Sequence, residues 1–328
     1  MNGLLRVLDD EAVARLGGTD SARALADIRE VVTLMRRGEA EMPAETAVDL
    51  GTPRGKAYAL PARVGGRFNA AGVKWTAHRP QRPDALPAAL AMTLINDAQN
   101  GVPRGLVASG ALTAVRTAAV SALALMYAAP RPVERVLLLG GGTQQQAHLR
   151  MLDQLFPHLA QVGVWQRAPG GPFADGLTVE RDLSAALAGP YDAVITCTSA
   201  GSPIVDRAAV RPGRIIIQVG YHEVSFAAIR ASSRVVVDAW GAFAEHSAKS
   251  LFQMYRAGEF QPQEVAADLS ALLLDGWRAA PHESVYFSSF GLNVFDIALA
   301  ARVLLAAEQS DTGSVLPLFT GEHHDHHG

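Results

Sequence analysis

One stretch of the chain constrains its fold more than any other. An apolar run at 136–139 leads into three consecutive glycines, and helix-forming residues follow up to Leu149. A strand, a glycine turn and a helix in this order are typical of a dinucleotide site, because glycine permits a tight turn close to a pyrophosphate and the helix start offers unpaired N–H groups. Gly140 and Gly142 match the first two glycines of GxGxxG, whereas the third falls on Gln145. An ordinary glycine-rich turn is therefore the alternative.

Length and composition limit the class of protein. The 328 residues suggest about two domains. The net charge is −3 without a long basic run, which predicts no nucleic-acid partner. No apolar stretch reaches the roughly 20 residues of a membrane span, and the single cysteine, Cys197, excludes an internal disulfide. We therefore expect a soluble cytoplasmic protein that does not associate with membranes.

The segment 322–328 holds four of the ten histidines. Histidine-rich tracts can bind metals, but nothing beside this one would fix the geometry of the ligands. We predict no metal site and interpret the segment as a mobile tail or a remnant of cloning.

Hydrophobic patterning changes near residue 112. Before it, apolar residues spaced three and four apart predict a helix in 4–38, and shorter alternating runs predict strands. These strands lie at 56–76, 90–97 and 104–108. After it, a small-residue helix precedes alternating strands and helices, at 135–139, 144–155, 161–166, 182–188, 192–197, 214–219 and 234–237, and amphipathic helices at 263–275 and 293–308. The fold class is therefore α/β, with a Rossmann-type parallel-sheet nucleotide domain and a second, α+β domain.

The strand that ends near residue 166 bears on the cofactor. An NAD site commonly ends this strand with an acid that binds the ribose hydroxyls, but Gln166 and Arg167 stand here. Gln166 can bind a hydroxyl and Arg167 can pair with a 2′-phosphate. We therefore favour NADP(H) and keep NAD(H) as the alternative. The simpler explanation of Arg167 is a solvated loop charge.

Small polar residues follow the next strand. Cys197, Thr198 and Ser199 stand where the carboxyl end of a parallel strand borders a ligand crevice, and we predict cofactor contacts there. Cys197 as a nucleophile is the weaker hypothesis. No histidine is placed by sequence to activate it, and a small buried thiol is the usual finding.

Several motifs together resemble the ornithine cyclodeaminase/mu-crystallin family over nearly the whole chain. They are GlyValLysTrp at 72–75, AsnAspAlaGlnAsnGlyValPro at 96–103, LeuThrAlaValArgThrAlaAla at 112–119, GlyGlyGlyThrGln at 140–144 and GlyLeuAsnValPheAspIleAlaLeuAla at 291–300. The segment 59–75 is similar to the siderophore-pathway branch of that family. Members of this branch oxidatively cleave N-(2-amino-2-carboxyethyl)-glutamate to 2,3-diaminopropionate and 2-oxoglutarate.

The resemblance implies a domain organisation. Residues 116–300 would form the Rossmann dinucleotide-binding domain. Residues 1–115 together with 301–328 would form a domain for substrate binding and dimerisation, so that a homodimer is expected.

The resemblance also implies roles for single residues. Arg116 would bind the substrate α-carboxylate, Lys74 would be a carboxylate ligand or proton-transfer group, and Thr117 would contact the cofactor phosphates. Further cofactor contacts are expected at Gly140, Gly142, Thr143, Gln144, Val219 and Gly291. The alternatives are that Arg116 only pairs within its helix and that Lys74 is an exposed strand charge.

The chain departs from the cyclodeaminases after the strand at 214–219. Those enzymes have an aspartate where His222 stands here, and Glu223 follows at once. His222 suits proton transfer because imidazole titrates near neutral pH, and Glu223 is expected to orient the imidazole or to bind a substrate amine. A hydrogen-bonded loop histidine is the alternative for His222.

These observations predict an NAD(P)-dependent oxidoreductase acting on a C–N bond of an amino acid or derived imine, in specialised metabolite biosynthesis. Its substrate would be a small amino-acid-like molecule. Imine or ketimine reduction and oxidative cleavage of an N-carboxyalkyl amino acid both remain open. The alternatives are a redox-neutral cyclodeaminase with bound NAD and a non-catalytic NADPH-dependent binding protein of the mu-crystallin type.

Overall fold

A computed structural model describes residues 3–52, 55–79, 86–167 and 176–318. The histidine-rich segment at 322–328 lies outside these residues. The strands are β1 (Leu4–Leu8), β2 (Ala40–Glu41), β3 (Thr46–Asp49), β4 (Lys56–Val64), β5 (Ala70–His78), β6 (Ala89–Asp97), β7 (Pro103–Ala108), β8 (Arg135–Leu139), β9 (Gln161–Trp165), β10 (Thr178–Glu180), β11 (Ala193–Thr196), β12 (Ile215–Gln218), β13 (Arg234–Val237), β14 (Val265–Ala267), β15 (Val285–Ser288) and β16 (Ser314–Pro317). The helices are α1 (Asp10–Arg15), α2 (Ser21–Arg36), α3 (Gly110–Tyr127), α4 (Thr143–Leu155), α5 (Leu183–Ala188), α6 (Phe226–Ala231), α7 (Ser250–Arg256), α8 (Leu269–Leu274) and α9 (Asn293–Gln309).

The chain divides into two compact units. The first comprises residues 1–19, 37–113 and 293–328, and the second comprises 20–36 and 114–292. These limits differ from the predicted ones at α2 and α9. Helix α2 packs on α4 and α8 of the second unit, and α9 packs from its first residue on β4 and β5 of the first unit. Packing partners, rather than order along the chain, therefore set the limits.

The second unit is built on a parallel sheet of eight strands in the order β10-β9-β8-β11-β12-β15-β13-β14. Its central strands are mostly apolar and almost wholly buried, as is typical of strands covered on both faces. Because all strands run the same way, the loops that follow them meet at one edge. The predicted Rossmann-type sheet is confirmed, and this edge is where such sheets bind ligands.

The first unit holds a mixed sheet in the order β16-β1-β7-β6-β5-β4-β2, with β3 paired to β4. One face packs against α9, where a Cβ on Gly72 would lie 3.3 Å from Ile297 and one on Gly105 would lie 2.5 Å from Leu304. The opposite face carries exposed apolar side chains. Trp75 and Met92 stand directly opposite each other there on β5 and β6. The α+β character predicted for this part of the chain is confirmed.

Two predicted elements were wrong. Residues 4–8 were expected in a helix but form β1, which pairs with β7 and β16. The five residues of β1 are too few to distinguish the hydrophobic period of a helix from that of a strand. The amphipathic helix expected at 263–275 is instead the short strand β14 followed by α8.

Helix α3 is the one candidate membrane span among the described residues, judged by length and hydropathy alone. Its apolar window is 72% buried within the fold. The core helix of a soluble protein passes the same test, so this is weak support for a membrane span.

Candidate functional site

The glycine turn lies at the carboxyl edge of the parallel sheet, between β8 and α4. Gly140 has φ +140°, and a Cβ there would lie 2.4 Å from the carbonyl oxygen of Cys197, so only glycine fits. Gly142 caps α4 without a side-chain hydrogen bond, and a Cβ on it would meet nothing within 4 Å. Thr143 is exposed in the first turn. The helix start is therefore open to a ligand that accepts hydrogen bonds from its N–H groups.

Glutamine side chains line the turn on the side of β9. Gln166 follows β9, and its amide carbon would lie 3.0 Å from a Cβ on Gly141. Its Nε2 donates to Oε1 of Gln145 over 3.0 Å. The Nε2 of Gln145 is buried without a hydrogen-bond partner among the described residues, as is Oε1 of Gln144. Arg167 is exposed after Gln166.

Glu223 ties together the loops that follow β11 and β12. Its buried carboxylate accepts hydrogen bonds from Oγ1 of Thr196 at 2.5 Å, from the backbone N–H of Thr198 at 2.5 Å and from that of Gly220 at 2.7 Å. These contacts favour a structural role for Glu223 over the catalytic role expected from its position. Ser199, at the tip of the β11 loop, is exposed.

His222 is held by Ser250 rather than by Glu223. Its Nδ1 lies 3.2 Å from Oγ of Ser250, the first residue of α7, and its ring meets Phe226 edge-on. Ser250 is fully buried and is itself bonded to Gln218 at the end of β12. His222 is half-buried at the carboxyl edge of the sheet, as predicted from its place after β12.

Lys249 is a buried cation in the same loop cluster. Its Nζ donates to the carbonyl oxygen of Val219, the residue after β12. Burial lowers the pKa of Lys249 to about 8, although the nearby carboxylates of Glu223 and Asp238 favour its charged form. The guanidinium of Arg116 lowers this pKa further.

Arg116 lies against the turn that follows β15. It is 6% exposed on α3, and its Nη1 would lie 2.7 Å from a Cβ on Gly291, which has φ +97°. Asp238 holds this turn, because its carboxylate accepts from the Gly291 N–H at 2.7 Å. Burial raises the pKa of Asp238 above its usual value, although the hydrogen bond from the Gly291 N–H acts in the opposite direction. Thr117 is buried next to Arg116.

Lys74 lies in the first unit, on the face of the sheet that α9 covers. Its Nζ is 2.8 Å from Oδ2 of Asp296, and both side chains are buried. Thr113 donates to the other oxygen of Asp296 at 3.0 Å. Lys74 is therefore not an exposed strand charge.

A sequence profile of the ornithine cyclodeaminase/mu-crystallin family matches residues 12–311. The chain belongs to this family. The resemblance predicted from the motifs is confirmed, and the match spans both compact units.

Members of the family share this length and fold. N-((2S)-2-amino-2-carboxyethyl)-L-glutamate dehydrogenase of Staphylococcus aureus is 22% identical, over 97% of this chain and 100% of its own. The Delta(1)-pyrroline-2-carboxylate/Delta(1)-piperideine-2-carboxylate reductase of Azospirillum brasilense is 32% identical, over 69% of this chain and 73% of its own. An archaeal alanine dehydrogenase dimer with bound NAD has a TM-score of 0.83 at 23% identity, covering 96% of this chain and 100% of that one. These relatives are dehydrogenases and reductases of C–N or C=N groups, the class of activity that the motifs predict.

Sequence reasoning missed Lys249, Ser250, Asp238 and His148. Ser250 begins a short helix that had not been predicted, and Lys249 immediately precedes it, where only a lysine among small residues marks the place. Asp238 directly follows β13, and an acid at a strand end was a usable signal. Among the described residues no group of three or more His, Cys, Asp or Glu is placed to hold a metal ion.

His148 joins the glycine-turn helix to its neighbours inside the second unit. Its Nε2 lies 2.9 Å from Oγ of Ser121 on α3, and its Nδ1 lies 2.7 Å from the carbonyl oxygen of Gln144 and 3.6 Å from Sγ of Cys197. Burial lowers the pKa of His148 to about 4. Burial also raises the pKa of the Cys197 thiol, which favours an inert core cysteine over a nucleophile.

His148 should make stability depend on pH between about 6.5 and 4. Above this window the imidazole is neutral in both states, whereas below 6.5 the unfolded chain takes up a proton that the folded protein refuses. The free energy of unfolding should therefore fall by up to about 3 kcal/mol as pH falls through the window. Urea unfolding at pH 7 and pH 4.5 should show this loss reduced in His148→Gln but unchanged in His158→Gln, whose histidine is exposed. An unchanged loss in His148→Gln would contradict the assignment.

Proposed function

We propose that this chain is an NAD(P)-dependent oxidoreductase acting on the C–N bond of an amino acid or on the imine derived from it. The observation that carries the proposal is the buried guanidinium of Arg116, held against Gly291 at the same sheet edge as the glycine turn. A guanidinium is the natural partner of a carboxylate, which it binds through two parallel hydrogen bonds.

The residues at the glycine turn fit a dinucleotide. A Cβ on Gly142 would meet open space, the start of α4 has no side-chain cap, and Nε2 of Gln145 is a buried donor without a partner among the described residues. We assign the predicted cofactor contacts at Gly140, Thr143 and Gln144 to the phosphates. When bound, the nicotinamide exchanges a hydride with the carbon of the C–N bond.

The residues of the chain would bind the substrate and manage its protons. Arg116 binds the α-carboxylate and thereby orients the reacting carbon. Lys74, whose charge is balanced by Asp296, donates a proton as the imine becomes an amine, or favours the loss of one in the opposite direction. In the oxidative direction water adds to the imine carbon, and the amine and a keto acid leave.

Replacing Arg116 by leucine should lower kcat/KM for carboxylated substrates about 100-fold, because a charge-assisted bidentate contact is lost. The assay follows reduced nicotinamide with Δ1-pyrroline-2-carboxylate and Δ1-piperideine-2-carboxylate, and in reverse with N-(2-amino-2-carboxyethyl)-glutamate. Δ1-pyrroline, which lacks the carboxylate, is the control substrate and should be turned over equally by both proteins. Product formation without net change in the cofactor would instead favour a redox-neutral cyclodeaminase. No turnover of any substrate would favour a binding protein.

A preference for NADP(H) is the finer part of the proposal. No acid follows β9 to bind the ribose hydroxyls, and the exposed Arg167 stands where a 2′-phosphate would need a cation. Gln166, whose Nε2 donates to Oε1 of Gln145, follows β9 at the place where we expect the ribose. We expect NAD(H) to bind more weakly.

The Arg167→Ala variant should raise KM for NADPH at least about tenfold and leave KM for NADH unchanged, because only NADPH carries the 2′-phosphate. Arg150→Ala is the matched control, since Arg150 is an exposed arginine on α4. Steady-state kinetics with both cofactors would decide the point. Equal effects on NADPH and NADH would refute the assignment.

A homodimer through the open face of the first unit is the third part of the proposal. Trp75 and Met92 are 42% and 46% exposed, and the exposed Leu90 and Val48 lie on the same face. Adjoining large apolar side chains of this kind mark interaction surfaces. We assign substrate binding and dimerisation to this unit, as expected from the resemblance.

Placing a charge in this face should break the dimer. Trp75→Arg would bury an unpaired guanidinium against the second copy, so sedimentation velocity should show a monomer where the native protein is a dimer. Leu274→Arg, at an exposed leucine of the second unit, should stay dimeric. A Trp75→Arg protein that remained dimeric at micromolar concentration would exclude this face.

A further inference from the structure

The hydrogen-bond chain behind His222 has a fixed direction. Nε2 of Gln218 donates to the carbonyl oxygen of Tyr221 at 2.6 Å, and a carbonyl oxygen can only accept. This bond identifies the NH2 end of the Gln218 amide. Its Oε1, at the other end, accepts from the hydroxyl of Tyr286.

The orientation of the Gln218 amide determines the donor and acceptor roles of Ser250. The same NH2 group of Gln218 lies 3.0 Å from Oγ of Ser250, so that oxygen accepts. The hydroxyl hydrogen of Ser250 is then left for Nδ1 of His222, 3.2 Å away. Nδ1 is therefore the acceptor, and the neutral imidazole carries its hydrogen on Nε2.

The other nitrogen of His222 is consequently a donor in either charge state. Neutral imidazole has its hydrogen on Nε2, and imidazolium has hydrogens on both nitrogens. In the tautomer with a bare Nε2, the Nδ1–H would donate to the second lone pair of the Ser250 oxygen, and Nδ1 could no longer accept the Ser250 hydroxyl hydrogen. That hydroxyl would lose its acceptor in a fully buried position.

We infer that Gln218 and Ser250 are positioning residues that present Nε2 of His222 to the substrate as a hydrogen-bond donor. The group that His222 recognises is then a carboxylate or carbonyl oxygen in the non-reacting part of the substrate, not a side-chain ammonium. An ammonium has only hydrogens to offer and would face the N–H of His222 without an acceptor. This inference rests on the proposed function for its substrate, but the direction of the hydrogen bonds does not.

The tautomer can be measured without substrate or cofactor. In protein labelled with 15N-histidine, long-range 15N–1H correlation above neutral pH should give His222 a protonated Nε2 and a bare Nδ1, with its signals identified by their loss in His222→Gln. Ser250→Ala should move these signals toward the average of the two tautomers. Ser121→Ala is the matched control, because Ser121 bonds His148 in the same unit and should leave the His222 signals in place. A native His222 with its hydrogen on Nδ1 would overturn the inference.

The substrate side of the inference has its own readout. Isothermal titration of the protein saturated with NADP+ should show L-glutamate binding at least about tenfold more tightly than L-ornithine, with L-norvaline between them. Ser250→Ala should shrink this preference and His222→Asp should reverse it, while Ser121→Ala should keep it. Equal binding of the three amino acids, or a preference unchanged in His222→Asp, would remove His222 from substrate recognition. If every C–N substrate failed to turn over while the tautomer and this preference held, the proposed reaction would fail and the inference would stand.

Discussion

The carboxylate of Glu223 is the contact on which the candidate site depends. It is fully buried, and its three hydrogen bonds come from Thr196, from the backbone of Thr198 and from that of Gly220. The loops after β11 and β12 are thereby held together at the carboxyl edge of the sheet. An acid at this depth is costly unless it is fully bonded, so the same bonds that satisfy Glu223 also fix the conformation of the loop that carries His222.

Charge balance around this carboxylate explains the neighbouring groups. Lys249 is buried near Glu223 and Asp238. Burial lowers the pKa of Lys249, and the negative charge of each acid raises it. Arg116 adds a second cation, so the cluster already holds two positive groups close to two acids. The charges of these four groups therefore balance in number. Asp238 contributes in another way, because it shapes the Gly291 turn against which Arg116 lies.

Local patterns were sufficient for most of the fold. The strands β8, β9, β11, β12 and β13 were predicted within a residue or two, because buried parallel strands read as short apolar runs. Helix α7 was missed, since its seven residues give too short a period to recognise. The candidate site residues that the sequence predicts are those in motifs, such as Gly140 and Arg116. The bonds of Ser250 to Gln218 and His222 join residues 28 to 32 positions apart along the chain, and no local pattern reports them.

The segment at 221–223 shows why position alone misleads about chemistry. His222 and Glu223 are adjacent. His222 was expected to transfer protons, and Glu223 was expected to orient the imidazole or to bind a substrate amine. Their side chains differ in burial. Glu223 is buried and its carboxylate is hydrogen-bonded there, whereas His222 is half-buried with one nitrogen bonded to Ser250. The resemblance implied that a cyclodeaminase would have an acid at this place for the substrate amine. In this chain the carboxylate of Glu223 is already hydrogen-bonded to the loops after β11 and β12, and the neighbouring imidazole of His222 offers a hydrogen instead. The direction of one buried hydrogen bond, from the Ser250 hydroxyl to Nδ1 of His222, therefore decides which substrate group this edge of the sheet can bind.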